Sequence, residues 1–461
     1  MQRVSAAAAA AHITQGQLRA VDYVGSYLEQ INKHNPTIQA LSNWSQSATA
    51  DDRFNALLLQ QAQAIDERQH AGATGVLAGI PIAVKDVIDV ANMPTAYGAH
   101  EVFCTYPSVD ALCVSRLRQA GAIIVGKAAT AEFAYAAPPP TKNPHQLAHT
   151  PGGSSSGSAA GVAAGMFPLA LSTQTGGSII RPAAFCGVYG FKPSYGLIDS
   201  AGMQGFAPSF DTIGWHGQSL DDMAILLQVL APAFSPSTRT AIARKSAASI
   251  DASANTKAAP EAASEADTAA NGLRLGFCQT PYWSQASPDN QQFLSALAQQ
   301  LGAPLIELPV DVEQISADHR LLMAVEMSRS LRQHYDQHGQ HLSAPLKQLI
   351  EKGQQYSVAQ QQQAQQRLIK NRQTIHHFFS EVDLLLAPAA PGTAPLGLHQ
   401  TGSSIFNCMW SALHVPCLSL PLGQGSNGLP LGLQLIGHWG GDYSLLSFAQ
   451  RLVTQLEVKQ S

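Results

Sequence analysis

The 461-residue chain has no apolar run long enough to cross a bilayer, no C-x-x-C pair and no H-E-x-x-H motif. The first absence argues against a membrane-spanning helix, which needs about 20 consecutive apolar residues. The other two leave no recognisable zinc site. The six cysteines (Cys104, Cys113, Cys186, Cys278, Cys408 and Cys417) are scattered and read as reduced, buried thiols, because a disulfide framework belongs to much shorter chains. His376 and His377 are adjacent, the wrong spacing for two ligands on one helix face. A net charge of −4 offers no reason to expect nucleic acid or an anionic membrane as partner. What remains is 45% apolar, the composition of a globular protein able to bury one large core or several smaller ones.

The organisation reads as α/β. Up to Asn35, Leu18, Val21, Val24, Leu28 and Ile31 recur at helical spacing. The alanine-rich VSAAAAAAHI after Arg3 has only alanine-grade hydrophobicity and runs on into that helix. The expectation is therefore a cytoplasmic protein without a cleaved signal. IPIAV reads as a buried strand ending at Lys85, and ALCVSRLRQAGAIIVGKA as helix, glycine turn and strand. DDMAILLQVLAP reads as a helix, and LRLGF and VDLLLAP as strands. Residues 235–271 turn to Ala, Ser, Thr and Glu and predict an exposed excursion. Residues 315–380 predict a polar, glutamine-rich helical section whose QQQQAQQ run is a solvated face.

The most unusual stretch runs from Pro151 to Ala184, with seven glycines and six serines. GGSSSG (152–157) and TGGS (175–178) flank SAAGVAAG, a helix with small faces, and FPLALST, a strand feeding the second cluster. A strand running into Thr175-Gly176-Gly177-Ser178 can present a hydroxyl, and bare glycine amides can converge beside it on a developing oxyanion. No Lys follows the glycines, so a phosphate loop is not supported.

A serine nucleophile needs a base, and two assignments compete. Gly153-Ser154-Ser155-Ser156-Gly157 matches G-x-S-x-G, which would make Ser155 the nucleophile. That motif requires a strand immediately before it, whereas APPPTKNPHQLAHTPGG reads as a loop. The alternative base is Lys85. Its pKa, near 10.4 when unperturbed, would have to fall by about three units, or about 4 kcal/mol, which burial can supply.

GIPIAVKD (79–86), AGAIIVGK (120–127), PGGSSSGSAAGVAAG (151–165), STQTGGSIIRPAAFCGVYGFKPSYG (172–196), VDLLLAP (382–388) and GLPLGLQLIG (428–437) together resemble the amidase signature family. The likeness covers most of the chain and weakens between about 235 and 375. It implies a single large α/β/α domain around a mixed sheet over residues 1–461. It also implies carboxamide hydrolysis by a Ser–cis-Ser–Lys triad, with Ser178 as nucleophile, Ser154 as bridging serine after a cis Gly153–Ser154 peptide, and Lys85 as base. Thr175, Gly176, Gly177 and Ser178 would hold the oxyanion, while Ser155, Ser156, Ser158 and Thr173 would be structural.

Two departures bear on the substrate. Gln174 stands where many members carry an acid, and Arg181 is one residue later than the commoner position. Both are candidate substrate-binding residues, Arg181 as a bidentate carboxylate holder. The expectation is a linear-amide hydrolase without metal or cofactor, acting on a small molecule, with a homo-oligomer open. The rivals are the glutaminase subunit of a tRNA-dependent amidotransferase with its partner subunits, toward which Gln174 does not lean, and a non-catalytic scaffold.

Overall fold

The computed structural model describes residues 4–42, 52–70, 75–135, 137–232 and 273–458. Among the described residues nine strands form one mixed sheet: β1 (Pro81–Lys85), β2 (Ile123–Ala128), β3 (Leu169–Gln174), β4 (Tyr189–Lys192), β5 (Thr212–Gly217), β6 (Leu275–Phe277), β7 (Leu384–Pro388), β8 (Cys417–Gln424) and β9 (Pro430–Ile436). Their order is β2-β1-β3-β5-β4-β8-β9-β7-β6. Both strands beside β1 run parallel to it, and its five residues are buried throughout, as the unbroken IPIAV run requires. The fold is α/β/α around this mixed sheet, as the resemblance implied.

The helices follow the sequence pattern. In α1 (Ala6–Thr14) the alanine run is core material: Ala6, Ala9, Ala10 and Ile13 are buried, and Ser5 caps the first turn by accepting from the Ala8 amide. α2 (Ala20–Ile38) buries Val24, Leu28 and Ile31 at the expected spacing and packs on α3 (Asp52–His70). α4 (Leu112–Gln119) leads through a glycine turn into β2. The two small-residue motifs become α5 (Ser156–Ala163) and α6 (Ile180–Cys186), and α7 (Leu220–Leu230) follows β5. After α8 (Pro288–Leu301), the predicted helical section is α9 (Val312–Ser330), α10 (Arg332–His338), α11 (Ala344–Gln355) and α12 (Val358–Phe378). Of the glutamine run on α12 only Ala364 is buried, so a solvated face is what it forms. α13 (Cys408–Ala412) and α14 (Asp442–Val458) complete the set used below. The predicted excursion at 235–271 lies outside the described residues. Among the described residues no helix is long and apolar enough to cross a membrane.

The first glycine cluster has a packing reason. A Cβ at Gly157 would stand 2.0 Å from the Ala40 carbonyl oxygen and 2.4 Å from the Ala129 nitrogen, both backbone atoms that cannot swing away. Gly157 thus lets α5 lie against the end of β2. Gly157→Ala should lower stability by about 3 kcal/mol, the upper range for overpacking, read as a fall in the urea midpoint at unchanged slope.

Candidate active site

Lys85 closes β1, and its side chain has no access to solvent. Its Nζ lies 2.8 Å from Ser154 Oγ, 2.8 Å from Thr173 Oγ1 and 3.4 Å from the Thr173 carbonyl oxygen. All three neighbours are neutral. A neutral amine has two N–H groups and one lone pair, which suits two acceptors on Thr173 and one hydroxyl donor from Ser154. Burial pulls the Lys85 pKa down to about 7, opposed by the negative charge of Asp211 and assisted by Arg181.

A second buried lysine makes the contrast plain. Lys127, at the end of the AGAIIVGK stretch, sits 3.3 Å from the Asp86 carboxylate and donates to the Ile88 carbonyl and Thr95 hydroxyl. The residues on either side of the β1 end therefore differ in task. Asp86 neutralises a structural lysine, whereas Lys85 has no counter-ion within hydrogen-bond reach among the described residues.

The two glycine-serine loops meet behind the sheet edge. The Gly153–Ser154 peptide is cis. The Ser155 amide donates to the Ser178 carbonyl at 3.4 Å, holding the loops side by side. Three of the expected structural serines donate to backbone carbonyls: Ser155 to Thr173, Ser156 to Gly152 and Ser158 to Leu171. Thr173, expected to be structural as well, instead touches Lys85. Strand register explains why: Val84 pairs with Leu171, so the chain just past it carries Thr173 alongside the β1 end.

A cavity of about 320 Å³ opens in front of the second loop. Thr175, Gly176, Gly177, Ser178 and Arg181 line one side of it. Ser178 is the one member of the trio Lys85, Ser154 and Ser178 that reaches this wall; the other two are buried behind it. Among the described contacts the amides of residues 175–178 donate to no protein acceptor, so they are available to a ligand. The loop is braced from below. Thr175 Oγ1 donates to Asp211 at 2.5 Å, and Asp211 also accepts from the Phe206 and Ala207 amides. Burial pushes the Asp211 carboxyl up to about 6 despite those three bonds. His216 Nε2–H donates to the Ile179 carbonyl beside the nucleophile candidate, and its Nδ1 accepts from Ser172. Sequence reading missed Asp211 and His216, because only the β3–β5 pairing brings that part of the chain to the loop.

The two candidate substrate contacts fare differently. Gln174 does not line the cavity. Its carboxamide oxygen accepts from the Ile179 and Ile180 amides at the start of α6, and its nitrogen donates to Ser411, which donates to the Gly176 carbonyl. The residue braces the loop instead of meeting a substrate. Arg181 does line the cavity, but Nη1 donates to the Gly402 carbonyl and Nη2 to the Gly153 carbonyl and Thr401 hydroxyl. The fork expected to grip a carboxylate is turned onto protein oxygens, one of them in the peptide that precedes Ser154.

A site of this kind, with a buried amine, two serine loops and free amides around a small cavity, sits in a chain that belongs to the Amidase family, whose model matches residues 22–446. It is an enzyme that hydrolyses carbon–nitrogen bonds. Curated relatives include the A-type subunit of the glutamyl-tRNA(Gln) amidotransferase of Rhodopirellula baltica, 32% identical over 92% of this chain and 90% of that one. Its counterpart from Methylococcus capsulatus is 30% identical over 98% of this chain and 96% of its own. Among solved structures, one from a vestigial protein complex bearing on the origins of an s-triazine catabolic enzyme aligns over 98% of both chains at 26% identity, with a TM-score of 0.82. A structure described as an amidase covers 98% of this chain and 100% of its own at 25% identity, with a TM-score of 0.81.

Replacing Gln174 with Leu strands two buried amides, each costing about 1–3 kcal/mol. The expected result is a loss of about 3 kcal/mol in urea unfolding, with kcat falling because the loop is no longer braced.

Proposed function

We propose that the chain cleaves a carboxamide through Ser178, Ser154 and Lys85. Neutral Lys85 takes the Ser154 proton while Ser154 takes that of Ser178, whose Oγ bonds to the amide carbon. The resulting oxyanion is received by the amides of residues 175–178. Collapse breaks the C–N bond as the relay returns its proton to the leaving nitrogen, and water then attacks the acyl-enzyme by the same route. The observation that carries this reading is a fully buried lysine whose amine meets only neutral oxygens, one of them the Ser154 hydroxyl.

Two readings of the substrate share that chemistry. The names of the curated relatives support the glutaminase subunit of an amidotransferase, working with partner subunits, more directly than a free-standing amidase. The cavity supports the free-standing reading in one respect: no carboxylate among the described residues lines it, so it offers the α-ammonium of glutamine no ion pair. Ammonia release from glutamine and from uncharged amides, with and without amidotransferase partner subunits, decides between them. Release from glutamine only with partners present supports the first; release from uncharged amides by the chain alone supports the second. A fluorophosphonate probe should label Ser178, and Ser178→Ala should abolish labelling. No label on a folded chain, under conditions where a known relative labels, supports the scaffold reading.

The base acts when deprotonated, so kcat/KM should fall as pH drops through about 7, the Lys85 value. Lys85→Met should lower kcat/KM by about 10³-fold, within the usual range for loss of a general base. Asp211→Asn removes the charge that favours the ammonium form, so its acidic limb should move to lower pH in the same rate–pH profile.

A further inference from the structure

Three successive peptides of the second loop share one arrangement: the carbonyl oxygen is held by a protein donor and the amide is not. The Thr175 carbonyl accepts from His319 Nε2 at 2.9 Å, the Gly176 carbonyl from Ser411 Oγ at 2.7 Å and the Gly177 carbonyl from the Arg181 amide at 3.0 Å. The amides of those same peptides belong to Gly176, Gly177 and Ser178, and none has a protein acceptor among the described contacts. The next peptide is fastened at both ends. Its Ser178 carbonyl accepts from the Ser155 amide, and its Ile179 amide donates to Gln174.

A trans peptide is planar, with C=O and N–H pointing in opposite directions, so a donor that holds the carbonyl also sets the direction of the amide. The three peptides are trans, and the residues with the free amides line the cavity. The Gly177 carbonyl is taken by the first turn of α6, as at any helix start. The other two are taken by side chains from distant parts of the chain, His319 on α9 and Ser411 on α13, helices that pack on each other.

Both side chains are fixed as donors. The His319 ring is buried against Phe210, with centroids 4.5 Å apart. Burial drops its pKa to about 4, so the ring is neutral at pH 7, and its one hydrogen sits on Nε2 because the Thr175 carbonyl can only accept. Ser411 is buried too, and its oxygen accepts from Gln174 Nε2 at 3.0 Å, which leaves its hydrogen for the Gly176 carbonyl.

We propose that His319 and Ser411 are positioning residues for amide cleavage: each holds one loop carbonyl so that the amide of the next residue, Gly176 or Gly177, is aimed at the oxyanion. This rests on the carboxamide reading and adds the residues that orient its oxyanion amides.

The test uses the uncharged amide, or glutamine, that the wild type hydrolyses fastest. His319→Leu removes the donor at similar volume. Its kcat should fall about 10- to 100-fold, with KM within about threefold, because the transition state loses more than the bound substrate does. The acidic limb of its rate–pH profile should stay at the wild-type pH, since Lys85 is untouched. His319→Gln can place an N–H where Nε2 lies and should recover at least half of the loss on a logarithmic scale. Ser411→Ala should show the same split between kcat and KM, and it carries the test if His319→Leu does not fold by circular dichroism and urea unfolding. A folded variant whose kcat stays within about threefold of wild type overturns the proposal. So does His319→Gln if it is no better than His319→Leu, or a KM that rises in step with the fall in kcat. Failure of the underlying reading looks different: the wild type itself hydrolyses no amide and Ser178 takes no fluorophosphonate label.

Discussion

The site depends on a lysine whose burial brings its pKa down to about 7, so that a neutral amine is within reach near neutral pH. An amine ordinarily holds its proton to about pH 10.4 and resists burial. Here β1 is flanked by parallel strands on both sides, so a side chain at its end is enclosed by the sheet and by the loops packed over it. Lys127, on the neighbouring strand, meets the same enclosure with a carboxylate beside it. Lys85 meets it with two hydroxyls and a carbonyl. The two solutions sit next to each other in one fold, and the difference between them separates a structural cation from a proposed base.

The surroundings of that amine are rigid for reasons that have little to do with charge. Gly157 lets a helix press against backbone, and Gln174, Asp211 and His216 each fasten a peptide group near the second loop. Arg181 grips the carbonyl next to Ser154. The result is a loop whose own amides donate to no protein acceptor among the described contacts while its neighbours are held, the preorganisation that the proposed oxyanion role requires.

Much of this is legible along the chain. β1, β2 and the elements on either side of the serines are local: a β-branched run, a glycine turn and an alanine-rich helix each declare themselves within a dozen residues. The loop before Gly153 likewise argues against Ser155 as an elbow nucleophile, and its hydroxyl donates to the Thr173 carbonyl. What cannot be read is lateral. Thr173 looks like any strand threonine until β1 and β3 are set in register. Asp211 and His216 matter only because β5 runs antiparallel to β3. Gln174 invites a substrate role because it replaces an acid in a motif; its real partners, Ile179, Ile180 and Ser411, are visible only with the loop folded. His319 lies in the very section where the family resemblance fades.

The groups proposed for bond cleavage come from residues 85–178, whereas the opposite wall of the cavity is built by α9 and by residues 401–408 from the far end of the chain. Such a division lets selection work on the two halves at different speeds. Substitution along one helix face can reshape the cavity while the residues proposed to handle the proton stay unchanged.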